Sequence, residues 1–319
     1  MVAKVSAQQK RLLQSRKRAS RMDHIQLNLL VLPTVVLLAI FSYWPMYGAI
    51  LAFKNFKVPK GIWGSPWVKN VFDNFNFFLR SQDAWRVTRN TLGLNILFII
   101  VTTMCAVGFA LLLFEVKKRW QTKAYQTISI MPSFLSWVIV SYIVYIFLDP
   151  AKGIMNQLLT YFGGEAIPWY TEAKYWPVIL LIVKIWQGVG LSCVIYYASL
   201  MGIDVEMFEA AEIDGANKLQ KIRYISLPSL VPIVTTMTIM AMGGIFRGDF
   251  GLFYNVTRNV GALYPTTDII DTYVFRALMK QGNIGMSSAV GLLQSVICTI
   301  TLVIVNAIAR KASPENALF

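Results

Sequence analysis

Apolar residues along this chain gather into six runs, each close to the ~20 residues that a helix needs to cross a bilayer, with polar connections between them. The runs are Leu27 to about Phe53, Thr91 to Phe114, Thr127 to Leu148, Pro177 to Leu200, Ser229 to Phe246 and Ser287 to Ala309. This pattern predicts an all-α, polytopic membrane protein of about six transmembrane helices with both chain ends on one side. Pro33 and Pro45 predict kinks in the first span. That span follows a basic tail, as a signal peptide does, but it is too long for a signal core and ends in no small-residue cleavage site. It is therefore read as retained. Residues 1–26 form the tail, 27–311 the transmembrane domain and 312–319 a C-terminal tail. Residues 54–90, 149–176 and 247–286 are read as external connections, the second marked by Pro150, Gly153, Gly163-Gly164 and Pro168.

One connection has helical periodicity of its own. In residues 204–228, Phe208, Ala211, Gly215, Leu219 and Ile222 recur at three- and four-residue steps and make one apolar stripe. Asp204 is placed to cap a helix, and Glu206, Glu209 and Glu212 fill its first turns. Gly215 can end that helix in a left-handed conformation, and Pro228 can open the next span, where its missing N–H costs nothing. The island is predicted to be a helix–turn–helix, too polar to enter the bilayer.

Composition narrows the class. Of 319 residues 56% are apolar and 14% charged, where a soluble domain carries about a quarter charged residues; mean hydropathy is +0.53. The net charge of +14 lies in scattered connections rather than a basic domain. Such a distribution is an orientation signal beside apolar spans, not a nucleic-acid footprint. Lys/Arg density favours the tails, residues 115–125 and the island as the cytoplasmic side, although the first external connection is basic too. Cys105, Cys193 and Cys298 all sit in apolar runs, which argues against a disulfide framework. With His24 the only histidine, no histidine-based metal or acid–base site can be built. No Gly-x-x-x-x-Gly-Lys-Ser/Thr loop is present to cradle ATP phosphates.

Within the spans, Lys184 is the charge that stands out, followed by Gln187-Gly188-Val189-Gly190. A charge in a span usually faces a cavity or a partner, and two glycines weaken a helix where transport sites often form. The alternative is that Lys184 snorkels to an interface and the glycines let helices pack closely. Arg247 and Asp249, just beyond the fifth span, either flank a solute path or pair with each other at its mouth. Trp186 could stack on a sugar face or simply pack.

The island resembles the cytoplasmic EAA loop in permease subunits of bacterial type I ABC importers. Glu209, Ala210 and Ala211 are followed by Gly215, then by Ile225, Leu227 and Pro228, with that family's identities and spacing. Phe41–Gly48, Gly64–Val68, Pro132–Ile139 and Asp268–Val274 are similar to the oligosaccharide and polysaccharide branch of its carbohydrate-uptake permeases, and the resemblance covers about Leu27 to Arg310. It implies that Glu209, Ala210, Ala211, Asp214, Gly215, Leu227 and Pro228 couple the chain to an ATPase. It places solute contacts on the spans flanking the loop, near Lys184, Gln187, Gly188 and Leu191 and near Ala241, Gly244, Ile245 and Gly248, with Arg247 and Asp249 beside them. The implied partners are a second, homologous permease in a heterodimer, two ATPase subunits holding ATP and magnesium, an extracellular binding (lipo)protein, an oligosaccharide and membrane lipid. This chain itself holds no cofactor and does no bond chemistry. If Lys184 and Arg247 both face the path, an acidic glycan suits it. The competing classes are a membrane-embedded glycan- or lipid-modifying enzyme, for which Asp149, Glu165 and Glu172 form no defensible motif, and an ion-coupled carrier, which needs carboxylates inside the spans.

Overall fold

The computed structural model of the chain describes residues 26–312 and 317–319. The basic tail, with His24, and part of the C-terminal tail lie outside the described residues. Among the described residues five helices are long and apolar enough to cross a membrane, or six when one sharply bent pair counts as a single span. They are α1 (Gln26–Phe53), α2 (Gln82–Phe114), the pair α3 (Arg119–Phe134) and α4 (Trp137–Leu148), α5 (Ala173–Leu200), α7 (Lys218–Met242) and α9 (Ile284–Ala312). Two shorter helices matter here: α6 (Val205–Ile213) in the polar island and α8 (Ile270–Gln281) at the opposite, cap end of the bundle.

Capping chemistry sets the ends. Ser81 accepts from the Ala84 amide and starts α2, whose 33 residues begin well before Thr91, where hydropathy places the start of the second span. At 1.5 Å per residue that is about 50 Å, more than the ~30 Å apolar core of a bilayer, so the first turns of α2 project at the cap end. Prolines act through local widening. Pro45 and Pro228 cannot donate to the helical ladder, and each follows a five-residue π-helical stretch, Ala39–Tyr43 and Ile222–Ser226. The second short helix of the island thus runs without a break into the next span as α7.

Three readings of the hydropathy pattern are corrected. The run Thr127–Leu148 is no straight span: Pro132 sits in a 3-10 turn, Ser136 caps a new helix, and the axes of α3 and α4 bend by 99°. The fifth span ends at Met242 rather than Phe246, because Gly243–Phe246 turn away. Residues 247–263, read as part of an external connection, are packed into the bundle rather than forming a loose loop. A π-helical turn, Leu252–Val256, fills the notch left by the α3–α4 bend, and Leu252, Phe253 and Val256 join the largest core cluster with Leu94, Phe98, Val140 and Leu180. The Phe98 and Phe253 rings stack with centroids 5.9 Å apart.

The glycines of the fourth span do not break it, since α5 is continuous through Gly188 and Gly190. A Cβ on Gly190 would collide with the Ser129 carbonyl of α3, so this glycine is where two backbones meet. At the cap end, the fully buried Asp268 carboxylate receives Arg276 at 2.6 Å and Arg86 at 3.3 Å. Asn90 of α2 donates to the Asp268 carbonyl at 3.1 Å, which ties α8 and the preceding loop to the projecting end of α2. α1 is the outlier, packing on α9 only through its last turns, around Ala52 and Phe53.

Replacing Gly190 by valine forces α3 and α5 apart and should destabilise the bundle by about 1–3 kcal/mol, the usual cost of overpacking. A drop in the thermal unfolding temperature of the detergent-purified protein checks it; unchanged stability would contradict the contact.

Candidate functional site

Two regions carry the chemistry, one at each end of α7. At the loop end, Asp204 caps α6 by accepting from the Glu206 amide at 3.2 Å. Gly215 ends the turn at φ +80°, where no Cβ is strained, and the Ala216 amide closes back on the Ala211 carbonyl at 2.8 Å. Asn217 and Gln220 form a capping box that starts α7. Across the elbow, Lys221 reaches Glu212 at 2.6 Å. That bond and the lysine's charge hold the Glu212 carboxyl below the usual carboxylate range. Its contribution is therefore present above the ordinary carboxylate pKa and is lost as pH falls through the lowered one.

The elbow is pinned to the bundle on one side only. Phe208 packs on Phe114 with ring centroids 5.6 Å apart, and Lys218 pairs with Glu115 at 3.2 Å, both at the end of α2. Its other side is bare: Ile213 is 87% exposed and Leu219 77%, with Glu209 and Ala210 also exposed. The bundle leaves these apolar side chains uncovered.

At the far end of α7 lies a cavity of about 520 Å³, in the range of small-molecule sites. α2 contributes Asn95, Phe98, Ile99, Thr102 and Thr103; α5 contributes Lys184, Ser192, Ile195 and Tyr196; α7 and the turn after it contribute Met237, Ala241, Gly244, Ile245, Arg247, Gly248 and Asp249. Lys184 Nζ and Asp249 Oδ2 form an ion pair at 2.7 Å, each side chain about one-third exposed, and the ammonium also lies 5.5 Å from the Trp137 ring centre. Arg247 donates to Ser295 Oγ at 2.7 Å. With Lys184 matched by Asp249, the lining keeps one net positive charge, on Arg247. Among the described residues no group of three or more His, Cys, Asp or Glu could hold a metal ion.

A family model described as "Binding-protein-dependent transport system inner membrane component" matches residues 104–314. The chain belongs to this family. It is similar to Protein LplB of Bacillus subtilis (strain 168), 33% identical over 290 residues that cover 91% of this chain and 90% of that one. It is also similar to the polygalacturonan/rhamnogalacturonan transport system permease protein YteP of the same organism, 32% identical over 295 residues, 91% and 89% of the two chains. Among solved structures it matches a bacterial ABC transporter involved in the import of the acidic polysaccharide alginate, with TM-score 0.83 and 28% identity over 93% of this chain and 99% of that one. The alginate transporter in complex with an alginate pentasaccharide-bound periplasmic protein matches at TM-score 0.82 and 28% identity, over 92% and 97% of the two chains.

As an ABC importer permease, the molecule brings seven of the residues singled out from sequence around one cavity: Lys184, Ala241, Gly244, Ile245, Arg247, Gly248 and Asp249. Gln187, Gly188 and Leu191 do not line it. At about 100° per residue, the α5 lining face is centred between Lys184 and Tyr196. Gln187 and Leu191 are rotated off one edge of that face, and Gly188 points at it without a side chain. Trp186 lines a separate apolar groove with Ile179 and Trp169. The expected Arg247–Asp249 pair is replaced by Lys184–Asp249 and Arg247–Ser295. Sequence reasoning missed the whole α2 wall. Its signal was available, because Asn95, Thr102 and Thr103 are the polar positions on one side of an otherwise apolar run.

The permease's elbow yields a prediction. Gly215→Asp forces a side chain into a left-handed position, at a cost of about 1–2 kcal/mol, and Glu209→Lys reverses the charge of an exposed position. Both should abolish uptake and ATPase stimulation in the assembled importer while leaving membrane insertion intact. Normal uptake by either well-expressed variant contradicts the assignment.

Proposed function

We propose that this permease carries an oligosaccharide, acidic glycans preferred, handed over by an external binding protein, through the cavity between α2, α5 and α7 by alternating access. Its ATPase-facing element is the elbow at residues 204–228, so the elbow and both chain ends lie in the cytoplasm. A second, homologous permease completes the path, and two ATPase subunits hold the ATP and magnesium; this chain is a non-catalytic subunit. Closure of the ATPases draws the elbows together, and α7 carries that displacement from its first turn to the cavity wall.

The observation that carries the substrate class is the cavity lining. Hydroxyls (Thr102, Thr103, Ser192) suit a polyhydroxyl solute, and the uncompensated Arg247 suits a carboxylate. The Lys184–Asp249 pair narrows the argument, because Lys184 is free for a solute carboxylate only when Asp249 lets go. Likeness to permeases whose names or titles refer to polygalacturonan and alginate supports the same class.

The test uses the importer assembled with its partner permease, ATPases and binding protein. Arg247→Met should lower uptake of uronate pentasaccharides about tenfold, the worth of one charge-assisted hydrogen bond, and spare neutral oligosaccharides. Equal uptake of neutral and uronate oligosaccharides, unchanged by Arg247→Met and Lys184→Met, contradicts the acidic preference. Uptake driven by an ion gradient without ATP contradicts the importer reading itself.

A further inference from the structure

The chain leaves its helix at Gly243 and becomes helical again only at Phe250, yet the stretch between forms one wall of the cavity. Its peptide groups are held by side chains reaching in from three other helices. Asn95 of α2 donates to the Ile245 carbonyl at 2.8 Å and to the Arg247 carbonyl at 2.9 Å. Gln294 of α9 donates to the Phe246 carbonyl at 2.8 Å. Asp271 of α8 accepts from the Gly248 amide at 2.7 Å, and Gln294 lies 3.5 Å from the same carboxylate oxygen. Four consecutive residues therefore have their backbone groups bound by three side chains from different elements. A generic packing contact does not do this; it fixes the rotation of each peptide plane, and with it the direction in which Arg247 and Asp249 leave the chain.

We propose that Asn95, Asp271 and Gln294 are positioning residues for transport: they clamp the unwound segment 243–249 in the one backbone arrangement that aims Arg247 and Asp249 at the solute path. Asp271 gives the clamp a connection to the cap end. It stands in the first turn of α8, and the same helix is locked by Arg276 to the buried Asp268. A shift of α8 relative to α2 and α9 pulls on the Gly248 amide directly. Space around the segment leaves little other freedom, since a Cβ on Gly248 would strike Ile269 and one on Gly251 would strike the Trp137 ring.

Asp271 acts here as an acceptor rather than as a charge, which separates two variants of one residue. Asp271→Asn keeps an oxygen for the Gly248 amide; Asp271→Leu has none, and leaves that amide unbound. The inference rests on the proposed solute path, so the experiment has two readouts. In the assembled importer, with a uronate pentasaccharide as probe, Asp271→Leu and Asn95→Leu should raise the KM for uptake about tenfold per assembled complex. Asp271→Asn should stay within about threefold of the parent. A purely structural role would lower the amount of assembled complex and leave KM alone.

Independently of any solute, a cysteine at Gly244, in a background with Cys105, Cys193 and Cys298 replaced by serine, reports on the segment. Its rate of modification by a charged, impermeant thiol reagent should change about tenfold when Asp271→Leu or Asn95→Leu is added and stay near the reference with Asp271→Asn. Unchanged KM and unchanged cysteine reactivity in the leucine variants overturn the clamp. So does an Asp271→Asn variant as defective as Asp271→Leu. If the parent importer does not take up the probe but the cysteine responds as expected, the clamp stands and the substrate reading falls.

Discussion

A peptide group that leaves the helical ladder inside a membrane bundle has no water to turn to, and each one left unbound costs several kcal/mol. That constraint organises this molecule. The chain breaks its helices in two places within the bundle, between α3 and α4 and after α7, and the two breaks are fitted to each other. The bend at Leu135–Ser136 opens a notch, and the segment after α7 fills it with Leu252, Phe253 and Val256 while Gly251 lies against the Trp137 ring. What remains non-helical, residues 243–249, is covered by amide and carboxylate side chains and forms the cavity wall. Irregular backbone is tolerated at this depth only where protein or a cavity surrounds it, and here both do.

α7 links that wall to the elbow. It is one helix of 25 residues, about 37 Å long at 1.5 Å per residue, starting beside the exposed Leu219 and ending at Met242. α5 makes the same connection from the other side, from Lys184 at the cavity through Leu200 to the Asp204 cap. Both flanks of the elbow are therefore continuous with cavity walls. The elbow is fastened to the bundle through Phe208–Phe114 and Lys218–Glu115, and its opposite side is open. A force applied to that open side has rigid elements to act through and no loose loop to absorb it.

Much of this was legible in the amino-acid order. Asp204 and Gly215 announce a cap and a left-handed stop, and each behaves so because its chemistry is local; Pro228, read as opening the next span, lies inside α7, which already starts at Lys218. Long apolar runs announce membrane helices for the same reason. The break at Leu135–Ser136 was less legible, since a 22-residue apolar run looks like one span whether or not Pro132 and Ser136 divide it. Residues 252–256 lie in a stretch read only as a connection, and that the notch beside α4 would bury Leu252, Phe253 and Val256 is tertiary information. Lys184 pairing with Asp249 spans 65 positions, and Asn95 reaching Ile245 spans 150. No local pattern encodes such partners. Gly190 decides between two readings that sequence left open: it is where α3 comes closest, so it serves helix packing rather than a helix break.

The most direct measurement of the account is the side from which the cavity can be reached. With Ser192→Cys as the sole cysteine, a charged, impermeant thiol reagent is applied from either face of vesicles holding the assembled importer, first without nucleotide and then with ATP trapped by vanadate. Labelling from the elbow face without nucleotide and from the cap face in the trapped state is the predicted result. Labelling from one and the same face in both states would contradict it.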